Sequence, residues 1–307
     1  ITDSLVGSEM CIRDRFKRQS KGSNLMTKLK VGCLQLNLEK SENFELVREK
    51  ILGFKEETCD LIVLSELCVG GPGSENSQHY LSVYEESFSV LAKELDVWLI
   101  PGTFYEKVGD QIFNTAPVFN PDGEIVQRCK KNFPWLPYEK GVALSSEECV
   151  VNINETTKIG VHICYDLWFP ETSRALALNG AEIIINPTLT PTKDRDIEKV
   201  MVQATAAQQQ LFYVDINGAG KQGCGKSIVC NPDGEIMHES NGGEDKFVIE
   251  LDLKHVRDAR KNGIYGLGQP LKSFRDHLDF NKMYEKKDND FLDSLGPLTE
   301  TKNKNEN

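Results

Sequence analysis

The chain has 307 residues, of which 27% are charged and 39% are hydrophobic, and its formal net charge at pH 7 is -11. Such a chain can bury the core of one large α/β domain or of two smaller domains. The acidic balance argues against binding to nucleic acid or to an anionic membrane, and no apolar run is long enough to cross a bilayer.

The nine cysteines are irregularly spaced and form no CxxC pair, and the five histidines do not cluster with them. This pattern argues against a metal site and against a disulfide framework. We therefore expect reduced thiols, most of them buried as small apolar side chains, in a cytoplasmic protein that needs no metal or cofactor.

The first 25 residues show no useful periodicity and lack the apolar stretch of a signal peptide. Their segment MCIRDR resembles translated sequencing-adapter DNA, so we predict that residues 1–25 are a non-native or disordered extension. A single domain is predicted to span residues 26–280, and the polar residues 281–307 are predicted to form a flexible tail.

From Leu29 onward, strand-like apolar runs alternate with helical periodicity. Strands are predicted over residues 29–36, 60–66, 97–104, 159–163, 182–186, 211–218 and 246–253. Helices are predicted over residues 41–57, 84–95, 172–180 and 196–210, the first with Ser41 as its N-cap. Hairpins are predicted over residues 115–129 and 226–240.

The two hairpins share a nearly identical core, FNPDGEI from Phe119 and CNPDGEI from Cys230. Pro-Asp-Gly is a common turn sequence, but near-identity over seven residues in matching contexts favours two duplicated halves. Two such halves, stacked sheet on sheet with helices outside, would form a four-layer α-β-β-α sandwich of the α/β class.

Cys164 follows the predicted strand 159–163 and precedes a predicted helix. Ligands of open α/β sheets collect at the carboxyl ends of strands, and the N-terminus of a helix favours a thiolate. Both placements make Cys164 a candidate nucleophile, provided that another residue can activate it.

Glu66 ends the apolar run LIVLSE and is expected at the same edge of the sheet as Cys164. It is a candidate general base, with an ordinary surface carboxylate as the alternative. His162 shares a strand face with Cys164, but its place inside a buried strand favours a hydrogen-bonded core histidine.

Lys130 and Lys131 lie among aromatic residues in the segment RCKKNFPWLPYEKG. A lysine in this setting could stabilise an oxyanion. These residues alone neither distinguish the two lysines nor exclude an ordinary basic turn. Glu139, in the same segment, could orient the lysine or the substrate, or could be a surface charge.

The segment GVHICYDLWFPETSRALALNGAEIIINPT resembles the nucleophile segment of the nitrilase superfamily of carbon–nitrogen hydrolases, in its amidase and carbamoylase branches. The glutamate of LSEL, the second lysine of CKKNFP and the cysteine of CYD are similar in order and spacing to that family's Glu-Lys-Cys triad. The resemblance covers about residues 29–273 and is most specific around Cys164.

The resemblance implies that Glu66 is the general base, Lys131 the oxyanion stabiliser and Cys164 the nucleophile. It also implies that Glu139 is a second, structural glutamate and that the backbone N–H of Tyr165 is another oxyanion donor. The family's α-β-β-α fold and its association into homodimers or larger homo-oligomers are implied as well.

Two departures from the family pattern bear on the pocket. Cys129, Lys130 and Phe133 stand where the family often has an aromatic residue, an arginine and a histidine around the catalytic lysine, which leaves the detailed shape of the pocket open. Tyr165 and Asp166 follow the cysteine where true nitrilases tend to have Trp-Glu. Hydrolysis of an amide or carbamoyl group is therefore favoured over hydrolysis of a nitrile.

We therefore expect a hydrolase that cleaves a non-peptide carbon–nitrogen bond in a small amide or N-carbamoyl compound through a cysteine thioester, releasing ammonia or an amine. The alternatives are an acyltransferase on the same scaffold, which passes the thioester to another acceptor, and a non-catalytic scaffold protein.

The substrate pocket is the least determined part of the sequence. Substrate contacts are predicted for residues just past the nucleophile and at the end of the next strand, namely Tyr165, Trp168, Phe169, Asn186 and Thr188. Core packing explains the last four of these equally well. Residues 260–276 are too rich in glycine for a continuous helix and could cover a partner surface or the mouth of the site.

Overall fold

The computed structural model describes residues 26–136, 139–277, 279–280 and 294–295. The predicted extension at residues 1–25 lies outside the described residues, as does the predicted tail apart from residues 294–295. The strands are β1 (Lys28–Gln35), β2 (Asn37–Leu38), β3 (Leu61–Leu64), β4 (Trp98–Ile100), β5 (Phe104–Val108), β6 (Gln111–Phe119), β7 (Ile125–Lys130), β8 (Val150–Asn152), β9 (Lys158–Val161), β10 (Ile183–Thr188), β11 (Phe212–Asn217), β12 (Ala219–Gly220), β13 (Ile228–Cys230), β14 (Ile236–Glu239) and β15 (Asp245–Asp252). The α-helices are α1 (Phe44–Leu52), α2 (Leu81–Leu95), α3 (Pro170–Leu178), α4 (Arg195–Gln209), α5 (Leu253–Asn262) and α6 (Pro270–Asp276), and short 3-10 turns occupy Ser77–His79 and Cys164–Trp168.

The two main sheets repeat one arrangement of strands. In the first sheet, β1, β3 and β4 run parallel, and β4 then pairs antiparallel with β6, which forms a hairpin with β7. In the second sheet, β9, β10 and β11 run parallel, and β11 then pairs antiparallel with β13, which forms a hairpin with β14. This shared order confirms the predicted duplication.

The two hairpin turns also have the same hydrogen bonds. The Oδ1 atom of Asn120 accepts from the backbone N–H groups two and four residues later, at 3.1 and 2.8 Å, and Oδ1 of Asn231 does the same at 3.0 Å in both cases. Gly123 and Gly234 have φ values of 81° and 83°, a region that glycine enters at little cost. The repeated sequence thus encodes a repeated turn.

The sheets pack face to face, with helices on both outer faces. Leu61 and Val63 of β3 belong to the core shared with the second sheet, whereas Ile62 and Leu64 pack with α1 and α2. This alternation is the period of two along a strand. The helices α3 and α4 cover the other face of the second sheet, so the four-layer α-β-β-α sandwich is confirmed.

Two differences from the sequence prediction follow from backbone conformation. Helix α1 begins at Phe44 rather than near Ser41, because Glu42 has a φ of 66° and interrupts helical backbone. The predicted strand 97–104 is two strands, β4 and β5. They are separated at Gly102, whose φ is 81° and where a Cβ atom would lie 2.0 Å from the carbonyl oxygen of Ser65.

The last strand, β15, follows the strands of the second sheet in sequence but belongs to the first sheet. β15 pairs antiparallel with β1 of the first sheet along its whole length, from Lys28 opposite Asp252 to Gln35 opposite Asp245. Helix α5 follows directly and was not predicted. Its N-cap is Asp252, whose side chain accepts a hydrogen bond from the backbone N–H of Lys254 at 3.0 Å. Residues 260–276 are interrupted between α5 and α6, as predicted.

The cysteines differ from expectation at one pair. Cys129 at the end of β7 and Cys149 just before β8 form a disulfide, with their Cα atoms 5.4 Å apart. The expectation of reduced thiols throughout is wrong here, because the fold brings together two strand ends whose spacing in sequence matches no motif. Cys164 is among the free cysteines.

Within the described part of the chain, no helix combines the length and the apolar character that a membrane span requires. The same residues contain no group of three or more His, Cys, Asp or Glu side chains placed to hold a metal ion.

Candidate active site

The ends of three strands place the predicted site residues together. Glu66 lies two residues beyond β3, Lys131 directly follows β7, and Cys164 lies three residues beyond β9. All three side chains are buried and line one cavity of about 540 Å³. Glu66 and Cys164 therefore lie together at strand ends, as the sequence predicted.

Lys131 occupies the centre of a buried ionic cluster. Its Nζ atom lies 2.8 Å from Oε1 of Glu66 and 2.6 Å from Oε2 of Glu139. Lys130 instead points outward, with Nζ 3.3 Å from Glu147. Lys131 is thus the lysine in the site, a choice that the residue pattern alone could not make.

Asn114 holds the two glutamates of this cluster from the other side. Its Nδ2 group donates to Oε1 of Glu66 at 2.8 Å and to Oε1 of Glu139 at 2.7 Å. The Oε2 atom of Glu139 also accepts from the backbone N–H of Trp135 at 2.7 Å. Each carboxylate therefore has a fixed orientation relative to Lys131.

Burial and neighbouring charges set the protonation of the cluster. Burial is the largest cause of the raised pKa of Glu66, which Lys131 lowers and Glu139 raises. Burial alone would lower the pKa of Lys131, but Glu139 and Glu66 raise it well above its ordinary value, so the lysine is charged. A carboxylate with a raised pKa is a better proton acceptor for catalysis at neutral pH.

The thiol of Cys164 is protonated in the resting site. Burial raises its pKa well above the ordinary value, Glu66 raises it further, and Lys131 lowers it. The expectation that a helix N-terminus would favour the thiolate is therefore not met, and the thiol needs a base. Glu66, whose pKa the Cys164 thiol itself lowers through a side-chain contact, is the adjacent candidate.

The backbone at Cys164 is unusual. Its φ is 50°, in a region that costs a non-glycine residue on the order of 1–3 kcal/mol and that persists only where the surroundings enforce it. The residue begins the 3-10 turn Cys164–Trp168, which connects β9 to α3. This sharp turn directs the side chain into the cavity between the strand ends.

Asp166 connects the turn that carries Cys164 to the segment that carries Lys131. Its carboxylate accepts from the backbone N–H groups of Asn132 at 3.1 Å, Phe133 at 2.9 Å and Ile163 at 3.1 Å. Asn132 directly follows Lys131, and Ile163 directly precedes Cys164. One buried carboxylate therefore sets the distance between the two.

The predicted substrate contacts divide into two groups. Tyr165 and Trp168 line a small enclosed cavity of about 20 Å³ that adjoins Cys164. Phe169 stacks on the ring of Phe133 with ring centres 3.6 Å apart. Asn186 and Thr188 are buried and hydrogen-bonded to Asp215, and the structure places neither on the wall of these two cavities.

His162 is a core residue, as the sequence favoured. It is buried, and its Nδ1 atom lies 3.1 Å from the hydroxyl of Tyr213. Burial lowers its pKa to about 4, so the imidazole is neutral at physiological pH. It therefore supplies no charge to Cys164.

Sequence reasoning missed Asn114 and Asp166 as parts of the site. Asn114 had one available signal, since it is a polar residue inside the apolar strand β6, but nothing connected it to Glu66, 48 residues away. Asp166 was noted only as a departure from the nitrilase pattern. Its three backbone donors come from two segments that only the fold brings together.

We predict that Asp166 makes stability depend on pH. Burial raises its pKa to about 7, although Lys131 and the backbone donors lower it. The folded state thus binds this proton more tightly than the unfolded state, so the contribution is complete at low pH and is lost as pH rises from about 4 to about 7. The slope can reach about 1.4 kcal/mol per pH unit for one proton.

The measurement is urea unfolding of the parent and of Asp166→Asn between pH 4 and pH 8. The free energy of unfolding of the parent should fall relative to that of the variant as pH rises to about 7, and then stay level. A difference that is independent of pH would contradict the assignment.

The chain is similar in sequence and in fold to known proteins. The model of the carbon–nitrogen hydrolase family matches residues 30–261. An (R)-stereoselective amidase from a Pseudomonas species is 29% identical over 216 residues, 67% of this chain and 78% of that protein. An N-carbamoylputrescine amidase from Oryza sativa subsp. japonica is 31% identical over 202 residues, 56% of this chain and 65% of that protein. The crystal structure of Saccharomyces cerevisiae Nit3, a member of branch 10 of the nitrilase superfamily, superposes with a TM-score of 0.70 at 24% identity, covering 76% of this chain and 94% of Nit3.

Proposed function

The chain belongs to the carbon–nitrogen hydrolase family, and we propose that it hydrolyses a small amide or N-carbamoyl compound through a thioester on Cys164. Its similarity to an (R)-stereoselective amidase and to an N-carbamoylputrescine amidase supports this substrate class. Lys131 is buried between two carboxylates in the cavity, and Cys164 lines the same cavity with its thiol protonated. This arrangement is the observation that carries the proposal.

In the first step, Glu66 accepts the proton of the Cys164 thiol while Sγ forms a bond to the carbonyl carbon of the substrate. The π electrons of the carbonyl move to its oxygen, which becomes an oxyanion. The Nζ group of Lys131 and the backbone N–H of Tyr165 stabilise this oxyanion. Removing one such donor typically costs on the order of a hundredfold or more in rate.

In the second step, the tetrahedral intermediate collapses. The carbonyl re-forms, the carbon–nitrogen bond breaks, and the proton held by Glu66 passes to the nitrogen, which leaves as ammonia or an amine. In the third step, Glu66 removes a proton from water, which attacks the thioester carbon. The carbon–sulfur bond then breaks, and the proton returns from Glu66 to Sγ. Dividing the reaction in this way is what a covalent nucleophile contributes.

Glu139 and Asn114 keep this apparatus in place without contacting the reacting atoms. Glu139 balances the charge of Lys131 at 2.6 Å, and Asn114 fixes both carboxylates. Because these groups are buried and fixed before substrate binds, little reorganisation is needed as negative charge develops on the substrate.

Two substrates that form the same thioester on Cys164 should give their products in the same ratio. A primary amide and the corresponding N-methylamide with the same acyl group should release acid and, with added hydroxylamine, hydroxamate in the same ratio, because both substrates form one acyl-enzyme. The primary amide should also yield ammonia. Mass spectrometry of the acid-quenched enzyme should find the acyl group on the peptide that contains Cys164.

A product ratio that changes with the leaving group would contradict the thioester. Transfer to an added amine that exceeds hydrolysis would instead identify an acyltransferase on the same site. A Cys164 that neither accepts an acyl group nor reacts with iodoacetamide would favour a scaffold protein.

A further inference from the structure

Residues 188–190, which begin at the last residue of β10, contact both sides of the site. The carbonyl of Thr188 accepts a hydrogen bond from the backbone N–H of Glu66 at 3.2 Å. Leu189 lines both cavities that Cys164 lines, and its backbone N–H lowers the pKa of the Cys164 thiol. The hydroxyl of Thr190 donates to Oε1 of Glu198 at 3.1 Å. The position of Leu189 against the nucleophile therefore depends on how residues 188 and 190 are held.

A fully buried arginine lies beneath this segment. Arg195, at the start of α4, has no exposed surface, and it forms ion pairs with Asp215 on β11 at 2.5 Å and with Glu198 at 3.2 Å. Its Nη2 and Nε groups also donate to the carbonyl of Lys226, at 2.9 and 3.3 Å. All three charged residues are less than 5% exposed.

The two carboxylates hold the segment on either side of Leu189. Asp215 Oδ2 accepts from the hydroxyl of Thr188 at 3.3 Å and from Asn186 Nδ2 at 2.8 Å. Glu198 accepts from the hydroxyl of Thr190. These bonds account for the burial of Asn186 and Thr188 away from the cavity walls.

Glu198 also holds the turn that carries the nucleophile. Its Oε1 atom accepts from the indole N–H of Trp168 at 3.3 Å, and Trp168 is the last residue of the 3-10 turn that begins at Cys164. A backbone with positive φ at a non-glycine residue persists only where its surroundings enforce it. The contact between Trp168 and Glu198 anchors the far end of that turn.

Stability alone does not explain such a cluster. Replacing a buried ion triad with apolar side chains of similar volume is often neutral or stabilising, because desolvation of the charges is costly. The cluster here has four donors aimed at it from residues around the nucleophile: Trp168, Asn186, Thr188 and Thr190. That pattern suits a role in fixing geometry.

We propose that Arg195, Asp215 and Glu198 form a buried brace that positions Cys164 for attack by fixing the Leu189 N–H and the Trp168 end of the turn. Arg195 and Asp215 line neither cavity, Glu198 lines only the small cavity beside Cys164, and all three are assigned as positioning residues. This proposal rests on the proposed function in one respect, that Cys164 is the nucleophile.

The test is Glu198→Gln, an isosteric change that removes the charge facing Arg195. We expect kcat to fall about tenfold or more and KM to stay within about threefold, because small misplacements of reacting groups can cost up to about a hundredfold in rate. Removing the Glu198 charge lowers the pKa of the Cys164 thiol, which by itself would speed alkylation by iodoacetamide. We expect the alkylation rate, read on the Cys164 peptide by mass spectrometry, to fall nevertheless, because the thiol is displaced. Thr190→Val, which removes one donor and leaves the ion pairs intact, should shift kcat in the same direction by a smaller factor and serves if Glu198→Gln does not fold.

The matched control is Glu182→Gln. It breaks a largely buried ion pair with Arg257, at 2.7 Å, that has no contact with residues 188–190. It should lower the melting temperature and leave kcat and the alkylation rate unchanged. The brace is refuted if Glu198→Gln behaves like this control, or if it raises KM alone, since that would place Glu198 in contact with substrate.

Turnover by the parent tests the proposed function, and the alkylation rates of the variants test the brace. If the parent enzyme turns over no amide or carbamoyl compound, the proposed function fails. The alkylation rates of Glu198→Gln and Glu182→Gln still decide whether the cluster positions the Cys164 thiol.

Discussion

Replacing Cys164 with alanine is expected to reduce turnover by at least about 10⁴-fold, the scale seen when the nucleophile of a hydrolase is removed, while the protein stays folded. The thiol lines the cavity, and alanine removes a single heavy atom. The backbone strain at φ 50° applies to both residues. Steady-state ammonia release and thermal unfolding are the two measurements.

Cys230→Ala is the matched control for this variant. Cys230 is equally free, fully buried and placed on β13, away from the cavity. The control removes the same atom and should keep the turnover of the parent. Residual activity of Cys164→Ala within tenfold of the parent would overturn the assignment of the nucleophile.

Replacing Lys131 with methionine is expected to damage both activity and stability. The side chain keeps its length, but Glu66 and Glu139 are left as neighbouring buried carboxylates without a cation. Breaking a buried ion pair by removing one partner typically costs about 3–5 kcal/mol. The oxyanion also loses a charged donor, so kcat should fall by about a hundredfold or more. Urea unfolding and steady-state kinetics measure the two effects.

The two effects of this change can be separated. In Lys131→Met combined with Glu139→Gln, only one buried carboxylate remains, so we expect part of the lost stability to return. Turnover should not return, because the donor to the oxyanion is still missing. A double variant that regains activity together with stability would show that Lys131 acts only on the fold.

Lys130→Met serves as the control for the neighbouring position. Lys130 forms a partly exposed pair with Glu147 at 3.3 Å, and such pairs contribute roughly 0–1 kcal/mol. The free energy of unfolding of this variant should therefore lie within about 1 kcal/mol of that of the parent, and its turnover should be unchanged. A loss as large as that of Lys131→Met would mean that the segment as a whole, rather than one buried cation, supports catalysis.

Local pattern was enough to predict most of the strands and helices. The apolar run of β3, buried on both faces, and the repeated NPDG turns are signals that lie within a few residues of one another. Boundaries failed where backbone geometry intervened, as at Glu42 and Gly102, whose positive φ values depend on contacts made elsewhere in the fold.

Several connections across the chain had no sequence signal. The pairing of β15 with β1 joins residues from opposite ends of the domain. The disulfide joins Cys129 to Cys149 across two strand ends, and Asn114 reaches both Glu66 and Glu139. Each depends on packing between elements distant in sequence, which neither propensity nor periodicity encodes.

The sequence by itself determined the class of fold, its duplication, and the strand ends at which Glu66, Lys131 and Cys164 lie, because these follow from local patterning and from a specific motif around the cysteine. Only the tertiary structure decided how Lys131 is held between two carboxylates, that burial raises the pKa of the resting thiol, and which polar groups hold that thiol in place. Those properties follow from burial and from charges a few ångströms away, as between Lys131 and Glu66 at 2.8 Å, and such distances exist only once the two halves have packed.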